Sequence, residues 1–315
     1  MSKRILVIRF SSIGDILLTS PVVRALHQQL DAEVHFLTKP RFAELVSDNP
    51  YIERVHLLPA RFADLASTLK TLNFHAVVDL HHNLRTWRLR AALPNPTWYR
   101  FDKLNWEKWL LVNWKIDRLP RVHIVDRYLA TVAPLGVIND GRGLDFYWHP
   151  SVHVKHPVLQ SSFYAVAMGA AHATKQIPLD RLAEALAPKS QSIVLLGGPK
   201  DIERSNALLE QLPNREIIDF CGKLSIQETA FVLQHAAHLL TPDTGLMHLG
   251  AALKIPMTTV WGNTVPAFGM TPYRPDDPSS FTIREVTGLA CRPCSKIGFA
   301  KCPKGHFQCM REAEI

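Results

Sequence analysis

The chain has 315 residues, a formal net charge of +8, 47% hydrophobic residues and 20% charged residues. That length exceeds the size at which one hydrophobic core keeps growing, so two domains are expected, and the balance is that of an ordinary globular protein rather than a disordered or fibrous one. No run supplies the roughly 20 apolar residues of a membrane-spanning helix, and Met1-Ser-Lys-Arg4 leads straight into a strand pattern rather than a secretory leader, so a cytoplasmic location is expected.

The first element is Ile5-Leu-Val-Ile-Arg-Phe10, a buried-strand pattern that runs into the turn Ser11-Ser-Ile-Gly-Asp15. Ser20-Pro21 then supplies an N-cap and a proline at the first helical position, opening a helix toward Leu30. Strand patterns return at Glu33 to Leu37, Val55 to Leu58 and Ala76 to Leu80, with helical potential over Ala63 to Leu72. His81 and His82 follow. Adjacent residues of an extended segment point to opposite faces, so they do not form a bidentate metal pair; one is expected to hydrogen-bond at the strand end and the other to be packed or on the surface.

Between Arg85 and Arg127 the chain interleaves Arg88, Arg90, Arg100, Lys103, Lys108, Lys115, Arg118 and Arg121 with Trp87, Trp98, Trp106, Trp109 and Trp114. Such a mixture suits an anionic saccharide or a membrane interface, and it also occurs in nucleic-acid binders; alternatively, the tryptophans pack under a long excursion and the charges are solvated.

His149-Pro150 through Pro157-Val158 breaks the periodicity and reads as a linker, which sets expected domains at 1–155 and 156–315. A second strand series occupies Phe163 to Met168, Ser192 to Leu196, Ile217 to Phe220, Ala237 to Leu240 and Met257 to Val260. Alternation of strand and helix in both halves predicts an α/β chain of two doubly wound, Rossmann-like parallel sheets facing a central cleft. Neither half carries G-x-G-x-x-G and no Asp-x-Asp occurs, which disfavours a dinucleotide-dependent dehydrogenase and removes the usual carboxylate clamp for a metal-bound nucleotide sugar.

The most informative stretch is Asp243-Thr-Gly-Leu-Met-His-Leu-Gly-Ala-Ala252, which falls on a strand-to-helix turn. Unsatisfied N–H groups and the positive end of a helix dipole converge at such a turn and suit a phosphate or diphosphate. Simple capping by Asp243 or Thr244, with Gly245 in an unusual backbone conformation, is the plainer alternative. Capping leaves His248 unexplained, since a residue one turn into the helix shares a face with Thr244 and Gly245.

These turns resemble glycosyltransferase family 9, the bacterial heptosyltransferases that extend the inner core of lipopolysaccharide. The resemblance rests on Arg9-Phe-Ser-Ser-Ile-Gly-Asp15, Val77-Val-Asp-Leu80, Leu195-Leu-Gly-Gly-Pro199, Cys221-Gly-Lys-Leu-Ser225 and Asp243-Thr-Gly-Leu-Met-His248, in the family's order. It implies a GT-B fold and an inverting transfer of heptose from a nucleoside-diphosphate heptose, usually ADP-heptose, to a lipid-linked acceptor. The first domain would hold that acceptor and the second the nucleotide sugar.

On that resemblance Asp15 is the expected general base, with Ser12, Gly14 and Arg85 binding the acceptor. Lys175 is the expected diphosphate ligand, with Thr174 standing in for hydroxyl residues that some relatives carry just before it. Asp243, Thr244, Gly245, Leu246 and His248 complete the donor site, and Asp201 or Glu203 is placed to receive ribose hydroxyls. An Asp of ordinary pKa is a weak base, so desolvation on closure is expected to raise it. The implied partners are the donor, an anionic lipid-linked saccharide and a peripheral contact with the cytoplasmic face of the inner membrane, with no nucleic acid. Two other readings stay open: a nucleotide-sugar 2-epimerase of the same fold, and a non-catalytic glycan-binding protein.

Catalysis by this route requires no cofactor. Cys291, Cys294, Cys302 and Cys309 cluster near the C-terminus with His306 among them, and Cys221 stands apart as an expected buried residue. A reducing compartment argues against stable disulfides and leaves a structural zinc site open, although only one compact C-x2-C knuckle is present.

Overall fold

The computed structural model describes residues 3–315. They divide into two compact units, one running up to Lys103 and resuming at Val122–His149, the other made of Leu104–Arg121 and Pro150–Ile315. The change of unit at His149/Pro150 falls at the start of the stretch read as a linker, ahead of the expected boundary at 155. Segment 104–121, expected within the first domain, groups with the second unit.

The first unit begins with β1 (Arg4–Ile8), α1 (Ile13–Leu17), α2 (Ser20–Leu30), β2 (Glu33–Thr38), β3 (Arg54–Leu57), α3 (Phe62–Thr71), β4 (Ala76–Asp79), α4 (Leu84–Ala92) and β5 (Thr97–Arg100). The intervening segment 104–121 carries α5 (Asn105–Trp114), and α6 (Ile124–Val132) returns the chain to the first unit. Its strands form one parallel sheet in the order β3-β2-β1-β4-β5. Leu6, Val7 and Ile8 of β1 are fully buried because helices cover both faces of the central strand. Each such side chain contributes about 1.5–3 kcal/mol by leaving water. Arg24 of α2 is buried as well, and its guanidinium pairs with Asp140 at 2.7 Å and with Asp145, fastening segment 139–145 to the helix.

The second unit continues with β6 (Phe163–Ala167), α7 (Leu179–Leu186), β7 (Ser192–Leu196), α8 (Ile202–Gln211), β8 (Ile217–Asp219), α9 (Ile226–Leu233), β9 (Ala236–Pro242), α10 (Gly245–Ala252), β10 (Met257–Trp261), β11 (Phe281–Glu285) and α11 (Gln308–Arg311). Its parallel sheet has the order β11-β10-β9-β6-β7-β8. Val166, Ile193, Leu195, Leu240 and Val260 build its core with Leu182, Leu186 and Leu208 from the helices. Helix α10 lies tight against β9: a Cβ on Gly250 would fall 2.6 Å from Leu239 Cδ2, so any larger residue would require that side chain to shift.

Strands β5 and β11 were not apparent from the sequence. Both are sheet edges, and their half-buried, polar-interrupted sequences Thr-Trp-Tyr-Arg and Phe-Thr-Ile-Arg-Glu lack the continuous apolar run that marks the central strands.

Candidate active site

In the first unit, connections from β1 lead to β2 on one side while β4 lies on the other, so the carboxyl ends of β1 and β4 flank the topological switch point. Ligands of open α/β sheets bind there. Two loops meet at that place, Arg9–Asp15 after β1 and Leu80–Arg85 after β4.

Asp15 is the third residue of α1, and its Oδ2 accepts the Ser12 N–H at 3.0 Å and the Ser12 hydroxyl at 2.8 Å. Its Oδ1 lies 2.6 Å from the Arg9 guanidinium. The capping role and the candidate base role therefore fall on one carboxylate. Arg9 also donates to the carbonyls of Ser11, at 2.8 Å, and Leu80, tying the two loops together. Sequence reasoning missed Arg9 as a site residue. Its signal was present, because a charge inside an apolar strand must find a buried partner.

Burial by itself would raise the Asp15 pKa, but the Arg9 charge, the two Ser12 donors and the Arg9 hydrogen bond outweigh it and hold the carboxyl below its usual range. The expectation of a raised pKa is thus corrected for this conformation. Gly14 is buried inside α1 and its carbonyl accepts from Leu18 N–H at 3.0 Å, while Ser12 is engaged with Asp15.

After β4, buried Asp79 accepts both the His81 and His82 N–H groups on Oδ1, at 3.0 and 2.6 Å. His82 adopts φ of 45° and sets Nδ1 2.9 Å from the Phe101 carbonyl. His81 packs edge-on against Phe10 at 4.8 Å. Burial, then the charges of Arg9 and Lys103, pushes its pKa down to about 3, so the imidazole is neutral. Asn83 caps α4 through bonds from Arg85 N–H at 2.9 Å and Thr86 N–H at 3.1 Å. The cap leaves the Arg85 side chain exposed on the first turn, where it can meet an anion.

In the second unit the switch point lies between β6 and β9. The loop after β6 delivers Lys175 and the loop after β9 delivers Asp243, and the two side chains pair at 2.6 Å. Thr264, beyond β10, donates its hydroxyl to the same Asp243 oxygen at 2.8 Å. Thr244 is the N-cap residue of α10, yet its side chain makes no capping bond. Gly245 is the first helical residue and is not among the glycines with positive φ, so the capping alternative with an unusual glycine conformation does not describe this turn. Leu246 is partly exposed beside it, whereas His248 is only 2% exposed, one turn inside the unit. A lysine ammonium beside an α10 N-terminus without a side-chain cap is an arrangement suited to an anion.

Thr174 does not serve this place. It is buried, with its hydroxyl donating to the Phe299 carbonyl at 3.1 Å and accepting the Phe299 N–H at 2.8 Å, so the proposed substitution for an upstream hydroxyl is corrected. Asp201 is also engaged: it accepts the Gly198 N–H at 2.8 Å and presses on Gly169, where a Cβ would meet its Oδ2 at 2.2 Å. Glu203 is the exposed carboxylate of the pair, in the first turn of α8. Arg204, unforeseen, donates to the carbonyls of Met168, at 3.1 Å, and Ile177, bracing both ends of the loop that holds Lys175.

The basic and aromatic stretch does not form one surface of the first unit. Lys108, Lys115, Arg118 and Arg121 with Trp106, Trp109 and Trp114 belong to the second unit, and Lys115 Nζ bonds the Val112 and Pro293 carbonyls at 2.8 Å each. Trp98 is partly packed, with its indole N–H donating to the Leu93 carbonyl at 3.1 Å.

All five cysteines are free thiols, and Cys221 is buried as expected. Cys294 Sγ donates to the Cys291 carbonyl at 3.0 Å, and Cys291 Sγ lies 3.8 Å from His306 Nε2. Burial raises the Cys294 and Cys309 thiols to about 11 each. Among the described residues no three His, Cys, Asp or Glu side chains are placed to hold one metal ion, Cys302 included. The tail is instead fastened by Arg292, which donates to the carbonyls of Gly262 and Thr264 at 2.6 and 2.8 Å and pairs with Glu285 at 2.7 Å.

Residues 62–294 match the family model for glycosyltransferase family 9 (heptosyltransferase). Lipopolysaccharide heptosyltransferase 3 of Escherichia coli strain K12 is 23% identical over 283 residues, spanning 80% of each chain. A glycosyl transferase family 9 structure from Veillonella parvula has a TM-score of 0.71 at 19% identity, covering 90% of this chain and 87% of that one. An E. coli heptosyltransferase solved with ADP has a TM-score of 0.68 at 21% identity, covering 89% and 92%. These structural likenesses are likenesses of fold, and the two parallel-sheet units are of the GT-B class.

Proposed function

The chain belongs to glycosyltransferase family 9, the heptosyltransferases, and from that premise we propose that it transfers a heptose, with inversion, from ADP-heptose to a lipid-linked saccharide of the lipopolysaccharide inner core. The observation that carries the donor half is the Lys175–Asp243 pair beside the start of α10, at the switch point of the second sheet. ADP in the solved relative fits the same reading. The lipid anchor of such an acceptor places the reaction at the cytoplasmic face of the inner membrane, with no nucleic-acid partner.

The acceptor oxygen forms its bond to the anomeric carbon as the bond from that carbon to the diphosphate breaks. Asp15 takes the hydroxyl proton, and the leaving diphosphate carries away the electron pair with Lys175 and the N–H groups of Thr244 to Leu246 stabilising its charge. Lys175 exchanges Asp243 for phosphate as the donor binds, which makes Asp243 and its Thr264 partner the resting place of that ammonium. These groups supply the positive charge, so no metal is required by this scheme. His248 lines the inner side of the donor turn, Glu203 receives the ribose hydroxyls, and Arg85 with the Ser12–Gly14 turn binds the acceptor.

Incubation with ADP-heptose, with and without a deacylated core acceptor, tests the reading. Release of ADP only when acceptor is present supports transfer. Isomerisation of the sugar without acceptor would point to an epimerase instead, and neither reaction to a glycan-binding protein.

A further inference from the structure

Helix α5 stands on a small apolar base formed by Leu111 and Leu119 against Phe268. Away from that base it displays three tryptophans, Trp106, Trp109 and Trp114, at 62%, 42% and 64% exposure, followed by Ile116 at 41%. Trp106 and Trp109 are one turn apart and stack at 5.1 Å, and Trp114 extends the cluster 5.6 Å from Trp109. Scattered exposed apolar residues need no explanation, but a contiguous aromatic cluster of this size marks a binding surface. Segment 104–121 contains Lys108, Lys115, Arg118 and Arg121 against Glu107 and Asp117, a basic excess within a chain of net charge +8.

We propose that the Trp106–Trp109–Trp114 face of α5 seats the second unit in the interfacial layer of an anionic lipid bilayer. Indoles are suited to that layer because an apolar ring and an N–H donor are satisfied together at headgroup depth, and neighbouring basic side chains meet anionic headgroups. Charge favours this occupant over a second copy of the same chain, whose identical face would bring two basic segments together. The proposal rests on the reading of a lipid-linked acceptor, but its test uses neither donor nor acceptor.

Full-length protein is floated with phosphatidylcholine vesicles, with and without phosphatidylglycerol. Binding to the anionic vesicles is expected, with tryptophan emission quenched by acyl chains brominated near the headgroup. Trp106→Ala/Trp109→Ala/Trp114→Ala, checked for unchanged thermal unfolding, is expected to bind at least about tenfold more weakly. Arg118→Glu/Arg121→Glu should reduce binding to the anionic vesicles alone. Wild-type protein that ignores anionic vesicles, a triple variant that binds as well as wild type, or a wild-type dimer that the triple variant abolishes would each overturn the assignment. ADP release with deacylated acceptor reports separately on the transfer reading.

Discussion

The switch points of the two sheets solve one problem in opposite ways. After β1, the carboxylate of Asp15 is locked by Arg9 and by two donors from Ser12, and Arg9 is itself held by the Ser11 and Leu80 carbonyls. After β6 and β9, the charged partner of Asp243 is a lysine on a flexible stem with a single carboxylate contact. A guanidinium bound at several points is a fixture, whereas a lysine ammonium is a point charge that can change partners. On the proposed function, the first site keeps a carboxylate ionised and still, and the second releases a cation to an incoming anion.

The largest expected effect comes from removing the fixed charge at the first site. Asp15→Asn should lower kcat by about 100- to 10,000-fold, the usual range for a general base, while ADP affinity measured by calorimetry stays as in wild type. Unchanged turnover would take Asp15 out of the base role. Lys175→Ala should lower kcat/KM by about 100- to 1,000-fold, as for other lost charge donors at a leaving group, and here ADP affinity should fall too. A Lys175→Ala protein with wild-type ADP affinity would break the contrast between the two sites.

Arg9→Met sharpens it. The variant leaves the Asp15 carboxylate, 20% exposed, without its cation, and should destabilise by less than the about 3–5 kcal/mol typical of a fully buried pair, to be read from denaturant unfolding. In wild type the folded Asp15 pKa lies below its ordinary value of 3.8. Its stabilising contribution is thus complete above that value and is lost as pH falls through the depressed folded pKa. With Arg9 gone, burial dominates, and the acidic limb of the rate profile should move to higher pH. His81, held neutral with a pKa of about 3 by burial and by Arg9, should add no step near neutrality in wild type. Thr264→Val, which removes one hydrogen bond to Asp243, should cost only about 1 kcal/mol in unfolding free energy.

Much of this molecule is readable along the chain. Nine strands, the edge strands β3 and β8 among them, coincide with the expected runs to within a few residues, and Asp15, Lys175 and Asp243 follow the strand ends where the sequence places its turns. Thr174 shows where that reading runs out: it stands next to Lys175 in sequence, yet its hydroxyl is committed to Phe299, 125 residues away. Asp201 is a candidate ribose ligand by position, and only the fold shows that its carboxylate also accepts the Gly198 N–H.

The sequence by itself determined two series of parallel strands, the turns at their carboxyl ends and the residue types at those turns, because strand periodicity and turn chemistry are local properties. Only the tertiary structure decided that Arg9 holds Asp15 ionised, that Lys175 rests on Asp243 with Arg204 bracing its loop, and that segment 104–121 joins the second unit. Lys175 and Arg204 meet partners tens of positions away, and Arg9, although near Asp15 in the chain, is aimed by the Leu80 carbonyl of a distant loop; packing and desolvation settle such contacts, which local sequence does not display.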